Sequence, residues 1–137
     1  MSNGYWMREA SKILPVAGIL LLSAWMGLYC GIPDEGKTLF ETHCVNCHMA
    51  DGSGLRGIIP AINQSPVIYG QFTEMACLLY QGRQPADTTQ SFVAMPSFKS
   101  LSNAQIANVI NYVKKRWTDN PQFVSEQQVA EAVKACQ

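Results

Sequence analysis

Charge is scarce in this chain. Only 15% of its 137 residues are Asp, Glu, Lys or Arg, well below the roughly one quarter usual for a soluble protein. Ten basic side chains meet ten acidic ones, so there is no net charge. That balance excludes a chain held to nucleic acid by general basicity, because phosphate binding needs a clear excess of Lys and Arg. Histidine is scarcer still, with two in the chain. The sequence shows no internal repeat and no low-complexity tract. It also lacks a nucleophile–base pair, a paired carboxylate site and a phosphate-binding glycine loop, so no substrate chemistry is assigned.

The shortage of charge is local. From Ile13 to Pro33 there is no charged residue at all, and this run is long enough to cross a bilayer. Arg8 and Lys12 precede it, which favours a cytoplasmic N-terminus with the rest of the chain exported. A cleaved signal peptide and a retained anchor both fit, as does a lipoprotein signal ending at Cys30. A buried core helix is the bland alternative. Only Glu9, Arg8 and Lys12 carry charge before residue 34, so the remainder is itself near neutral. The expected division is a leader over 1–33, a domain over 34–118 and an extension over 119–137.

The strongest motif is Cys44-Val45-Asn46-Cys47-His48. Cys-x-x-Cys-His is the attachment pattern of a c-type haem. Two thiols add across two vinyl groups of one porphyrin edge, so they must lie about one helical turn apart. The histidine next in line then falls under the iron as an axial ligand. A structural zinc site would need a fourth ligand, and no second Cys-x-x-Cys exists. A redox dithiol of thioredoxin type expects a βαβ context, whereas the surroundings here read as helices and loops.

An electron-carrying haem iron wants a sixth ligand. His43 sits beside the attachment motif and does not easily reach the far face. Of the six methionines, Met1, Met7 and Met26 lie in the leader and Met49 abuts His48. Met75 falls in an expected helix, where methionine is usually core filler. Met95 precedes Pro96 in a loop, and the proline holds it extended. Met95 is therefore the expected ligand.

From Asp34 to Trp117, about three fifths of the chain, the sequence resembles the class I c-type cytochromes of the bacterial monohaem kind. The matching residues are Gly36-Lys37-Thr38-Leu39-Phe40, Cys44 to His48, Asp51-Gly52-Ser53-Gly54, Pro60 and Met95-Pro96. The resemblance implies an all-α fold around one covalent haem c, with the first and last helices crossing near the haem edge. Gly36 and Phe40 match one side of that crossing and Tyr112 the other. Pro60 matches the proline whose carbonyl accepts the proximal histidine's other ring hydrogen, a bond that fixes the ring and improves the ligand. Arg56 is counted with the pocket residues.

The residue patterns agree with helices. Pro33-Asp34 reads as a helix start with acidic residues in the first turn. Ser102 caps a helix to Trp117, whose Ile106, Val109, Ile110, Val113 and Trp117 recur at helical spacing. The Gly- and Pro-rich stretch 52–69 reads as loop, and no strand is evident. Lys114-Lys115-Arg116 reads either as a steering patch for an acidic partner or as the solvated face of the last helix.

Three cysteines lie outside the motif. Past the break at Asp119-Asn120-Pro121, Ser125 opens another helix. Gln128 is its capping-box partner and Val124 faces Val129 as a staple. Val129, Val133 and Cys136 share one face of it. A disulfide between Cys77 and Cys136 is predicted to staple this tail to the domain, worth about 4 kcal/mol in the chain-entropy model. Two free thiols are the alternative. Cys30 is left for lipid attachment or for a plain apolar place in an anchor.

The function expected is one-electron transfer with His48 and Met95 ligating the iron. The setting expected is a membrane-associated respiratory chain, with the domain on the periplasmic side of a bacterial inner membrane and redox proteins as partners. The alternative is a haem c subunit of a larger membrane oxidoreductase. A sensor or enzyme would instead need an open iron position.

Overall fold

Among the described residues, four of the other five helices pack against the long one that ends the cytochrome-like region. The computed structural model describes residues 34–84, 93–119 and 121–136, all within one unit, Asp34–Gln137. The apolar run 13–33, with Cys30, lies outside the described residues, as do residues 85–92.

Helix α1 spans Glu35–His43. It starts where expected, with the Asp34 carboxylate accepting from the Lys37 amide at 3.1 Å and Glu35 complementing the helix dipole in the first turn. A single turn, α2, follows over Val45–His48. The stretch 52–69, expected to be loop throughout, contains one more turn, α3, over Pro66–Tyr69. Ser65 caps it and Pro66 occupies its first position, where the missing amide hydrogen costs nothing. Helix α4 spans Phe72–Gln81 and buries Met75, Ala76 and Leu79.

Helix α5 spans Asn103–Trp117. The cap is more complete than a lone serine. The Gln105 amide donates to Ser102 Oγ, and the Ser102 amide donates back to Gln105 Oε1, a full capping box. Ile106, Val109, Ile110 and Val113 are buried. Each large aliphatic chain removed from water in this way contributes roughly 1.5–3 kcal/mol.

Helices α1 and α5 cross at Gly36. A Cβ there would come within 2.8 Å of Tyr112 Cβ and closer still to the Asn108 carbonyl, so only glycine lets the backbones meet. Asn108 Nδ2 donates to Glu35 Oε2 at 2.8 Å beside the contact. Phe40 fills the space below, its ring 5.4 Å from Tyr112 and 5.5 Å from Trp117, within the range of favourable aromatic pairs.

One expectation about α5 fails. Lys114 is on neither a steering patch nor a solvated face. It is 9% exposed, and its ammonium donates to the Gly70 carbonyl at 3.0 Å. Its stem runs along the apolar seam between α5 and the 66–70 turn, a place the three-residue basic run does not reveal. Lys115 and Arg116 are exposed.

The tail helix α6 spans Glu126–Ala135 and carries a capping box from Ser125 and Gln128. Its entry is pinned at two points. The Val124 amide donates to Asn111 Oδ1, and Asn111 Nδ2 donates to the Val124 carbonyl, both at 2.8 Å. Val124, Val129, Ala132 and Val133 are buried. Cys77 on α4 and Cys136 at the end of α6 form a disulfide with Cα atoms 5.6 Å apart, an ordinary span for this bond. Among the described residues the only extended pairing is two isolated bridges, Leu55 with Ile59 and Arg83 with Met95. No described helix is long and apolar enough to cross a membrane.

Candidate haem site

The attachment motif is rigid because α1 ends inside it. Cys44 closes α1, its amide donating to the Phe40 carbonyl at 2.9 Å, and its carbonyl then accepts from Cys47 and His48. That single turn puts Cys44 and Cys47 near one another and His48 next to both. Neither thiol is in a disulfide; Cys44 is buried and Cys47 exposed. Burial, helped by the neighbouring Cys47, pushes the Cys44 thiol up to about 11. Among the described residues no group of three or more His, Cys, Asp or Glu is arranged to hold a bare metal ion.

His48 Nδ1 lies 3.1 Å from the Pro60 carbonyl oxygen. A carbonyl only accepts, so Nδ1 carries the hydrogen and Nε2 is left with a lone pair for a metal. Burial pushes the His48 imidazole below its usual range, and the Pro60 bond opposes that. The balance favours the neutral ring that ligation requires.

The 49–63 stretch exists to place that carbonyl. Met49 adopts φ 61° and turns the chain. The Gly54 amide donates to the His48 carbonyl, and Leu55 and Ile59 pair through both their backbone groups. Asp51 Oδ1 accepts from the Ser53 amide at 3.0 Å. Ser53 thereby holds the Asp51 carboxyl below the usual range, through its side chain first and its backbone second. Asn63 Nδ2 donates to the Asp51 carbonyl, tying the far end back.

Cys44, Cys47, His48, Pro60 and Met95 line one cleft of about 1190 Å³, its open mouth included. Its walls are Phe40 of α1, Ile68 of α3, Leu78 and Leu79 of α4, and Val109 and Val113 of α5. This is the environment a porphyrin requires: apolar faces of cofactor size, two thiols and one imidazole at an edge, and few other polar groups. The residues fit a covalent haem.

The remaining site residues divide. Phe40 and Pro60 line the cleft, whereas Tyr112 stands behind Phe40 and is not part of the lining. Arg56 is an exposed residue of the 55–58 turn and also lies outside the lining. Its charge is left in water there. Met75 is buried core, as its helical position suggests, but it lines the cleft as well. His43 borders the cleft from the end of α1, packed edge-on to Phe98 at 6.1 Å. Leu78 and Leu79 were not singled out by the sequence pattern. Their spacing from Met75 marks a buried face, and nothing in it distinguishes a cofactor wall from ordinary core.

Comparison with known proteins agrees with this geometry. The family model for cytochrome c matches residues 33–117. The cytochrome c subunit of a quinone alcohol dehydrogenase from Gluconobacter oxydans is 33% identical over 94 residues, covering 66% of this chain and 20% of that protein. The corresponding subunit from Gluconacetobacter polyoxogenes is 33% identical over 86 residues, covering 60% of this chain and 18% of its own length. The chain thus spans about a fifth of these relatives. The c-type cytochrome XoxG of Methylobacterium extorquens AM1 is similar in structure, with TM-score 0.47 and 21% identity, covering 74% of this chain and 65% of that one. With the attachment motif, the oriented histidine and the apolar cleft in one place, the chain belongs to the cytochrome c family, electron carriers with a covalently bound haem c.

Proposed function

We propose that this cytochrome carries single electrons with His48 and Met95 as axial ligands, as the haem c component of a membrane-associated respiratory oxidoreductase. The observation that carries the ligand assignment is the shared cleft: the Pro60-oriented His48 and the Met95 segment both line it. Bound haem c supplies an iron that changes between the ferric and ferrous states by one electron. The protein's part is to set how readily that happens. The Met95 thioether favours the reduced form and raises the potential. The apolar walls act in the same direction, because they disfavour the extra positive charge of the oxidised form. The Pro60 carbonyl keeps the His48 ring in one tautomer and one orientation.

The relatives named above are subunits of quinone alcohol dehydrogenases, which supports a place within or beside a comparable complex for this chain. The uncharged run 13–33, with basic residues before it, supports a membrane attachment and a periplasmic location for the domain. Cys30 remains a candidate for lipid attachment under the same reading. Exposed Lys115 and Arg116 are available to steer an acidic redox partner, in the brief and small contacts such partners make.

The test is spectroscopic. In pyridine and alkali the purified protein is expected to give a c-type haem spectrum at one haem per chain. The reduced protein is expected to resist carbon monoxide at neutral pH. Ready binding would mean an open iron position and a sensor or enzyme instead. Purification in mild detergent, with mass analysis of what travels along, separates a complex subunit from a tethered carrier. The mass of the chain itself shows whether the leader is cleaved, retained or lipidated.

A further inference from the structure

The segment bearing Met95 is tied at one end to the 55–59 turn, where the Val93 amide donates to the Ile58 carbonyl at 3.1 Å, and otherwise to the end of α4 and the two residues after it. The Arg83 amide donates to the Met95 carbonyl at 2.9 Å, and the Met95 amide donates to the Arg83 carbonyl at 2.8 Å. Ser97 Oγ donates to the Tyr80 carbonyl at 2.7 Å. The Phe98 amide donates to the Leu79 carbonyl at 2.9 Å. These last four bonds end on the last turn of α4 or on the two residues after it.

Gly82 makes this approach possible. It has φ +75°, and a Cβ there would stand 2.7 Å from the Pro96 carbonyl carbon. The glycine serves both the left-handed turn and the close passage of the 95–97 backbone.

Helix α4 is itself held from the other side. Cys77 is bonded to Cys136, and the Gln81 side chain donates to the Cys136 carbonyl. The tail helix is independently fixed to α5 by the Asn111–Val124 pair and its buried valines. A continuous path therefore runs from α5 through α6 and the disulfide to α4, and from α4 to Met95.

We infer that the Cys77–Cys136 disulfide is a positioning element for the sixth ligand, holding Met95 in place by fixing α4 against the tail. The inference rests on Met95 being that ligand. Cutting the bond leaves α6 seated on α5 and α4 held by its packing through Met75, Ala76 and Leu79, so the end of α4 gains freedom and the Met95 segment moves with it. The iron's sixth position then opens for a larger fraction of the time.

The bond is broken by exchange with a small dithiol. A dithiol thiolate attacks one sulfur, the Cys77–Cys136 bond breaks, and two protein thiols form as the reagent closes to its own disulfide. Three forms of the full-length holoprotein are compared in the ferrous state: untreated, dithiol-treated, and the Cys136→Ser variant. The readout is the rate of carbon monoxide binding, with Met95→Ala as the open-site reference.

Dithiol treatment and Cys136→Ser are each expected to raise the rate about tenfold, because binding scales with the fraction of molecules whose site is open. Both are expected to remain below Met95→Ala. If the untreated protein and Met95→Ala bind equally fast, the ligand assignment itself is wrong. If untreated protein is slow, Met95→Ala fast, and both cleaved forms match the untreated one, the positioning role is overturned. Dithiol treatment keeps the test available should Cys136→Ser fail to fold.

Discussion

The two sides of the haem cleft are built by different means. The His48 side is almost wholly local: Cys44, Cys47, His48 and Pro60 lie within seventeen consecutive residues and are joined by short-range turns. The Met95 side is assembled from distant pieces, with residues 95–98 attached to the end of α4 and the residues just after it, and α4 stapled to a tail helix 59 residues further along the chain. A local turn is cheap to order and stays formed when the rest of the chain loosens. A nonlocal one depends on every contact that holds its support. The His48 side is therefore expected to be the robust half and the Met95 side the adjustable one.

The largest break in this contrast comes from the attachment motif. Replacing Cys44 and Cys47 together with Ala is expected to abolish covalent haem. Acidified acetone would then extract the pigment from the variant and leave it on the parent protein. Next is Met95→Ala, expected to lower the midpoint potential on the order of 0.1–0.2 V within the roughly 0.8 V span that axial ligands command. Potentiometric titration checks this. A potential equal to that of the parent would exclude Met95 as ligand.

Changes to the framework affect both sides when they fall at the α1–α5 crossing and one side when they fall in the tail. Gly36→Ala forces apart the α1–α5 crossing and is expected to cost about 1–3 kcal/mol in denaturant unfolding. Loss of the tail's cap in Ser125→Ala is expected to cost about 1 kcal/mol. Because it loosens only α6, it should leave the His48 side untouched, and a changed haem attachment yield would contradict the division drawn here.

The smallest effect concerns Asp51, which shapes the turn behind His48. Its folded-state carboxyl lies below the usual range because Ser53 hydrogen-bonds the charged form. The stability this confers is fully present above the ordinary carboxylate range and is lost as pH falls through the lowered folded value. Asp51→Asn removes that acid dependence. Unfolding curves for parent and variant between roughly pH 5 and pH 2 should converge at the acid end.

Much of this was legible in the sequence because its signals are local. Asp34, Ser102 and Ser125 begin helices at the positions their side chains suggest, since a cap depends only on amides two or three residues away. The stripe from Ile106 to Val113 follows from helical periodicity. Three features were not legible. Lys114 looks like one member of a basic run, and only the packing of the 66–70 turn over it buries its stem. Arg56 looks like a pocket cation, and only the folded chain shows that it is exposed and outside the cleft lining. Met75 reads as core filler, and only the placing of α4 makes that core a cleft wall.

The sequence by itself determined the cofactor chemistry and the helical fold. Thiol spacing, an adjacent imidazole and apolar periodicity are properties of neighbouring residues. Only the tertiary structure decided which surfaces become the cleft and how Met95 is held. Those depend on contacts between residues far apart in the chain, and their geometry follows from packing the whole domain at once.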